Sequence, residues 1–264
     1  MDIKVTVNPY ENEKTNLLGY ANVVFDDKYA LENIKIKTGT HGRYVELPKY
    51  SVPKKNEDGS LVLNIYGKPE YERKDIFHPF STEANKKFSE MILTEYKNVV
   101  DNGGTKSYYA KERGNIYKLE GDFSISRVTA GIHEQKNVDD RVCGIATVGF
   151  GNTFMLEKVK IKVNTDNELY IDLPKYRTPA KDDNNQFILN AAGEQTYKYE
   201  DAFHPITSDE RNTLKNAVLS TYHEKLAQKL QNDKSNTQSN HTDRITSDGI
   251  PLDDFYREES YGRR

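Results

Sequence analysis

The sequence predicts an α+β protein built of two tandem repeats, each an antiparallel sheet with an added hairpin and a C-terminal helix. Three observations carry this reading. GYANVVFDDKYALENIKIKT (19–38) aligns with GIATVGFGNTFMLEKVKIKV (144–163), with nine of twenty positions identical. LPKY occurs at 47–50 and 173–176, and Asp-x-Phe-His-Pro at 75–79 and 201–205. In each copy the apolar spacing changes from strand-like alternation to a helical stripe only at the end. The repeats span 1–100 and 123–230, joined by a linker at 101–122. The polar segment 231–264 is expected to be a disordered tail.

The elements follow in the same order in both copies. IKVTV and FSISRVTA open as short alternating strands, and ANVVF and IATVGF form second strands. FDDKY and FGNTF hold turn residues between the second strand and the third, which predicts hairpins. In the third strand Ile34 and Ile36 alternate with Lys35 and Lys37; in copy two Val159 and Ile161 alternate with Lys158, Lys160 and Lys162. One face is then apolar and the other cationic, read either as an ordinary solvated face or as a cationic binding surface. RYVELP and ELYIDLP make fourth strands, stopped by Pro48 and Pro174. LVLN and FILN, each followed by a Gly turn and then by YE or YKYE, predict a protruding hairpin. In copy two Thr207 with Glu210 forms a capping box for a helix striped by Leu214, Val218, Tyr222 and Leu226. In copy one Ser81 or Thr82 caps a helix striped by Phe88, Ile92 and Tyr96.

The duplicated Asp-x-Phe-His-Pro string is thereby a structural signature. Pro79 and Pro205 end the ladder and set the entry angle of the helix, and Phe77 and Phe203 are expected to plug the core between each sheet and its helix. His78 and His204 lack neighbours at metal-ligand spacing and read as hydrogen-bonded structural groups. No Gly-rich phosphate loop or Gly-x-Ser-x-Gly turn is present, and KTGTHG (37–42) lacks the strand–loop–helix setting of one. The chain reads as a non-enzyme with no cofactor and no metal. A net charge of −3 gives no overall nucleic-acid signature, so any such case rests on local patches. Cys143 is the single cysteine, read as a buried, inert thiol in a reducing compartment. With no apolar stretch long enough to span a membrane and no signal pattern in MDIKVTVNPY, the expected location is cytoplasmic.

LPKYRTP (173–179) followed by EDAFHPITSDERNTLKNAVLSTYHEK (200–225) resembles the stage V sporulation protein G (SpoVG) family of septation regulators. The strands IATVGFGNTFMLEKVKI fit the order of that family. The resemblance covers 123–226 closely and 3–98 more loosely. It implies a bacterial or bacteriophage regulator that binds DNA or RNA. Because the family resembled is one unit long and dimeric, two fused units imply an intramolecular pseudo-dimer, monomeric or assembled into a higher homo-oligomer. The nucleic-acid loop implied by the resemblance is Lys175, Tyr176, Arg177 and Thr178 in copy two. In copy one it is Lys49, Tyr50, Lys54 and Lys55, with Ser51 where copy two has its Arg.

A second reading is a protein-interaction module, encoded by a phage or mobile element and acting on a host protein, for which the protruding hairpins are suited. The tail adds a possible protein contact: GIPLDDFY (249–256) is an apolar island in which Ile250, Leu252, Phe255 and Tyr256 would be the anchors. In the linker, Tyr108, Tyr109, Ile116 and Tyr117 suggest an ordered stretch, such as a strand pair.

Overall fold

The computed structural model describes residues 1–10, 15–101, 114–133, 141–184 and 186–242. The first repeat runs β1 (Asp2–Pro9), β2 (Leu17–Phe25), β3 (Tyr29–Gly39), β4 (Gly42–Glu46), β5 (Lys49–Pro53), β6 (Tyr71–Asp75), β7 (Phe77–Pro79) and α1 (Thr82–Asp101). The linker supplies β8 (Asn115–Lys118). The second repeat runs β9 (Ile125–Ile132), β10 (Val142–Phe150), β11 (Phe154–Val163), β12 (Leu169–Asp172), β13 (Lys175–Pro179), β14 (Tyr197–Asp201), β15 (Phe203–Pro205) and α2 (Ser208–Thr242). The order is that expected from the sequence: antiparallel strands first, helix last.

Local chemistry explains each piece. The β2–β3 turn places Asp26 and Asp27 at φ 47° and 54°, and the β10–β11 turn places Gly151 and Asn152 at 52° and 50°. Two successive left-handed residues of these types match the right-handed twist of the strands they join. Ile34, Ile36, Val159 and Ile161 are fully buried, as their alternation requires. Ser81 Oγ accepts from the Ala84 N–H at 3.1 Å, and Thr207 Oγ1 from the Glu210 N–H at 3.2 Å, so Ser81 is the cap in copy one. Phe88, Ile92 and Tyr96, and Leu214, Val218 and Tyr222, face the core.

The two repeats are interlocked by strand exchange. β3 pairs with β2 along one edge; its other edge carries β4 beside Lys35–Gly39 and β15, from the second repeat, beside Tyr29–Leu31. Reciprocally, β11 carries β12 beside Lys160–Val163 and β7, from the first repeat, beside Phe154–Leu156. Matching backbone bonds flank both exchanges: Glu32 N–H to Ala202 O at 2.8 Å and Glu157 N–H to Ile76 O at 2.7 Å. Each repeat lends its Phe-His-Pro strand to the other sheet. Pro79 and Pro205 sit at the ends of these short edge strands, where a missing N–H costs no ladder bond.

The exchange makes one core out of two. Phe77 and Phe203 stack on each other with centroids 5.1 Å apart and planes at 14°. Phe123 lies between Phe25 (4.3 Å, 12°) and Phe150 (4.6 Å, 10°), which are equivalent residues of the two repeats. Tyr29, Phe88 and Phe154 complete the cluster. Phe77 and Phe203 are thus buried as expected, but at the junction between repeats rather than between one sheet and its own helix.

Other expectations shift. Phe123 precedes β9 and is a core plug, not a strand residue. The long loop in each copy is a hairpin whose stem uses LPKY itself: β5 pairs with β6 and β13 with β14, while LVLN and FILN contribute only single bridges such as Leu63–Pro69 and Leu189–Gln195. Ile116 and Tyr117 lie on β8, which pairs with β1; Tyr108 and Tyr109 lie outside the described residues. α2 continues to Thr242, past the expected boundary at 230, because its final turns lack the Gly or Pro that would stop a helix. Ile250, Leu252, Phe255 and Tyr256 also lie outside the described residues. Cys143 is half-buried near a register shift in β10, with its thiol toward the Arg141 carbonyl at 3.7 Å, not sealed in the core.

Candidate nucleic-acid interface

Strand alternation sorts the residues of each hairpin stem by face. In the second repeat Lys175 opposes Asp201, Arg177 opposes Tyr199 and Pro179 opposes Tyr197, so these side chains share one face. Tyr176, Thr178, Lys198 and Glu200 point the other way. The guanidinium of Arg177 lies 3.4 Å from the centroid of Tyr197. Tyr199, opposite Arg177, is 66% exposed. Lys175 lies at the foot of this face, ion-paired with Asp172 and Asp201, and the hydrogen bond it donates to Asp172 holds its ammonium pKa above the usual lysine value.

The opposite face anchors the stem to the other repeat. Tyr176 O–H lies 3.0 Å from Glu200 Oε2 and 3.3 Å from Glu32 Oε2, across the repeat boundary. Burial first, then these two carboxylates, push its phenol pKa far up. Tyr176 is therefore an anchor, with its hydroxyl committed inward. Of the four loop residues implied in copy two, Lys175 and Arg177 share the open face; Tyr176 and Thr178 do not.

In the first repeat Lys49 pairs with Asp75 at 3.6 Å and Lys54 with Glu70 at 3.0 Å. Lys55 is exposed beyond the stem, where it bridges to Leu61. Ser51 replaces the Arg, but the residue directly opposite it on β6 is Arg73, which restores a guanidinium to that face from the neighbouring strand. Sequence comparison position by position misses this because the cation has changed strands. Tyr50 leans on the second repeat, with Lys158 Nζ 4.6 Å from its ring centroid.

The third strands place the charges that these tyrosines meet. Ala21 pairs with Ile34 and Val23 with Leu31, so Glu32 and Asn33 together oppose Asn22: a β-bulge. The same shift in copy two sets Glu157 and Lys158 against Thr147. Asn33 and Lys158 adopt φ 59° and 60°. The bulges aim Glu32 at His204 Nε2 (3.3 Å) and Glu157 at His78 Nε2 (3.5 Å), each across the repeat boundary. His204 is accordingly a hydrogen-bonded link between repeats, and His78 faces Glu157 across the other boundary. Among the described residues no group of His, Cys, Asp and Glu could hold a metal ion. The alternating lysines are not equivalent: Lys37 pairs with Glu46 and Lys162 with Asp172, whereas Lys158 and Lys160 form no ion pair among the described residues.

The sequence of both repeats matches a known family. The SpoVG family model matches residues 1–98 and again 125–224, and the chain belongs to that family as two tandem copies. It is 30% identical over 91 residues to "Putative septation protein SpoVG" of Phytoplasma australiense, a match covering 34% of this chain and 78% of that protein. The protein of the same name from Caldanaerobacter subterraneus is 25% identical over 95 residues, 36% of this chain and 87% of its own length. That of Clostridium acetobutylicum is 30% identical over 86 residues, covering 33% and 74%. Each relative thus spans one repeat. No solved structure matches the chain. No helix among the described residues is long and apolar enough to cross a membrane.

Proposed function

We propose that this protein is a non-catalytic, nucleic-acid-binding regulator of the SpoVG type. The observation that supports this best is the open face of the second hairpin: Arg177 over the ring of Tyr197, Tyr199 exposed beside it, and Lys175 at its foot. A cation and a free ring on one rigid ladder grip a phosphate and stack a base with little sequence preference. Arg73 gives the first hairpin a second cationic face, so two modest sites on one chain would add through avidity.

The test is a gel-shift panel with single-stranded DNA, duplex DNA and RNA at two salt concentrations. Tyr199→Ala is expected to weaken binding roughly ten-fold, within the ~1–3 kcal/mol worth of one stacked base. Arg177→Ala is expected to lower the salt slope by about 0.7–0.9. Neither change should move Tm, since both side chains sit on the outer face. Lys175→Ala is a less clean variant, because it also strips an ion partner from Asp172 and Asp201. Absence of binding to all three nucleic acids would refute the proposal.

A protein-interaction role has one observation in its favour. The tip of the first hairpin exposes Ile65 (91%) and Tyr66 (79%). Capture of a partner by those residues would persist at high salt, where nucleic-acid binding fades.

A further inference from the structure

The two junctions between the repeats are built alike but charged differently. Where the second hairpin crosses the first repeat, Tyr176 meets Glu32 and Glu200, and the bulge residue is Asn33. Where the first hairpin crosses the second repeat, Lys74 stands in the place of Glu200 and Lys158 in the place of Asn33. The first junction is acidic and closed by hydrogen bonds. The second opens into a pocket of about 260 Å³ lined by Tyr50 and Ile76 from one repeat and by Lys158, Lys160, Lys175 and Tyr199 from the other.

Three ammonium groups line that pocket against one carboxylate, Asp172, which already pairs with Lys162 and Lys175. Asp172 stands opposite Lys160 on β12, but its oxygens are taken by those two lysines, and neither Lys158 nor Lys160 forms an ion pair of its own among the described residues. Burial first, then Lys160, lowers the pKa of Lys158. Glu157 beside it is turned away, accepting from Thr147 Oγ1 at 2.9 Å and facing His78. Lys158 also occupies a left-handed backbone conformation, which Asn tolerates and Lys does not favour. The folded protein therefore bears two costs at one residue, local strain and like-charge crowding. Such costs concentrate where a ligand relieves them. Tyr199 belongs both to this pocket and to the Arg177 face, so the two surfaces are continuous.

We infer that the pocket formed by Lys158, Lys160 and Tyr50 at the repeat boundary is a phosphate subsite, which seats one phosphodiester of a single strand whose neighbouring base stacks on Tyr199. It rests on the proposed nucleic-acid function. It goes further in making the pseudo-dimer one-sided: the other junction carries Asn33 where this one carries the Lys158 ammonium, so a strand binds with a fixed polarity.

The test is Lys158→Asn in the full chain, which copies the residue of the other repeat and should fold. Fluorescence anisotropy with a labelled oligothymidylate is expected to show roughly five-fold weaker binding and a salt slope smaller by about 0.7, one phosphate's share for a single strand. Thermal denaturation is expected to show Tm raised by about 2 °C as the strain is relieved. Weakening of binding with Tm raised supports the subsite. If Lys158→Asn leaves affinity and slope unchanged while Arg177→Ala weakens binding, the subsite is refuted and the broader function stands. If the wild-type chain binds no oligonucleotide, both fall. A parallel calorimetric titration with inorganic pyrophosphate separates the sources: binding of pyrophosphate that Lys158→Asn abolishes, with no oligonucleotide bound, marks a free-anion site and overturns the strand subsite.

Discussion

His204 shows how a single residue reports on the junction it spans. Its Nε2 lies 3.3 Å from Glu32 Oε1 and its Nδ1 3.2 Å from the Pro205 carbonyl. Both ring nitrogens face acceptors, and only the doubly protonated ring donates to both. The hydrogen bond to Glu32 is the main cause that raises its pKa above the ordinary 6.5, against burial, which lowers it. A folded pKa above the unfolded one means a stabilisation fully present below about pH 6.5 and lost as pH rises through the folded value. Glu32→Gln keeps the shape and removes the charge. The Cε1 proton resonance of His204 should then titrate near the ordinary value, and the fall of Tm as pH rises above about 6.5 should flatten. An unchanged midpoint in Glu32→Gln would show that Glu32 is not what holds the proton.

At the scale of elements, the exchanged strands of three residues each join the halves. Phe203 is fully buried and stacks on both Phe77 and Tyr29. Phe203→Ala is expected to cost about 3–5 kcal/mol in denaturant unfolding, as for other large aromatic truncations in a packed core. Ile65→Ala, at an exposed hairpin tip, should cost less than ~0.5 kcal/mol. A loss below ~1 kcal/mol at Phe203 would mean that the exchanged strand contributes little. The strand order, the turns and both helix caps were legible in the sequence because each rests on local chemistry: left-handed Asp, Gly and Asn in the turns, and Ser and Thr at the caps. The exchange was not, since nothing in the composition of Phe-His-Pro says which of two similar third strands it pairs with. The bulges were also hidden. Asn33 within an alternating strand is a turn residue out of place and could have flagged one; Lys158 fits the apparent Lys–apolar alternation and masks the other. The same masking made five lysines look like one cationic face, although cross-strand Glu46 and Asp172 neutralise two of them.

For the whole molecule, the consequence is cooperativity. Neither repeat owns a complete sheet, because each lacks the edge strand that the other supplies. The aromatic cluster cannot be divided either. Phe123 is stacked between Phe25 and Phe150, while its backbone N–H donates to Asp26 Oδ2 at 3.1 Å, tying the start of the second repeat to the first repeat's turn. Unfolding one repeat would expose the inner faces of both, so no state with one half folded is stable. Differential scanning calorimetry of the full chain should therefore give one peak, with calorimetric and van't Hoff enthalpies equal, although two-repeat chains of this length can melt in steps. Phe123→Ala should lower that peak, by roughly 3–5 kcal/mol of stability, without splitting it. If the variant melts in two steps, Phe123 alone couples the repeats and the exchanged strands do not; if the wild-type chain does so, the shared core is not a cooperative unit at all.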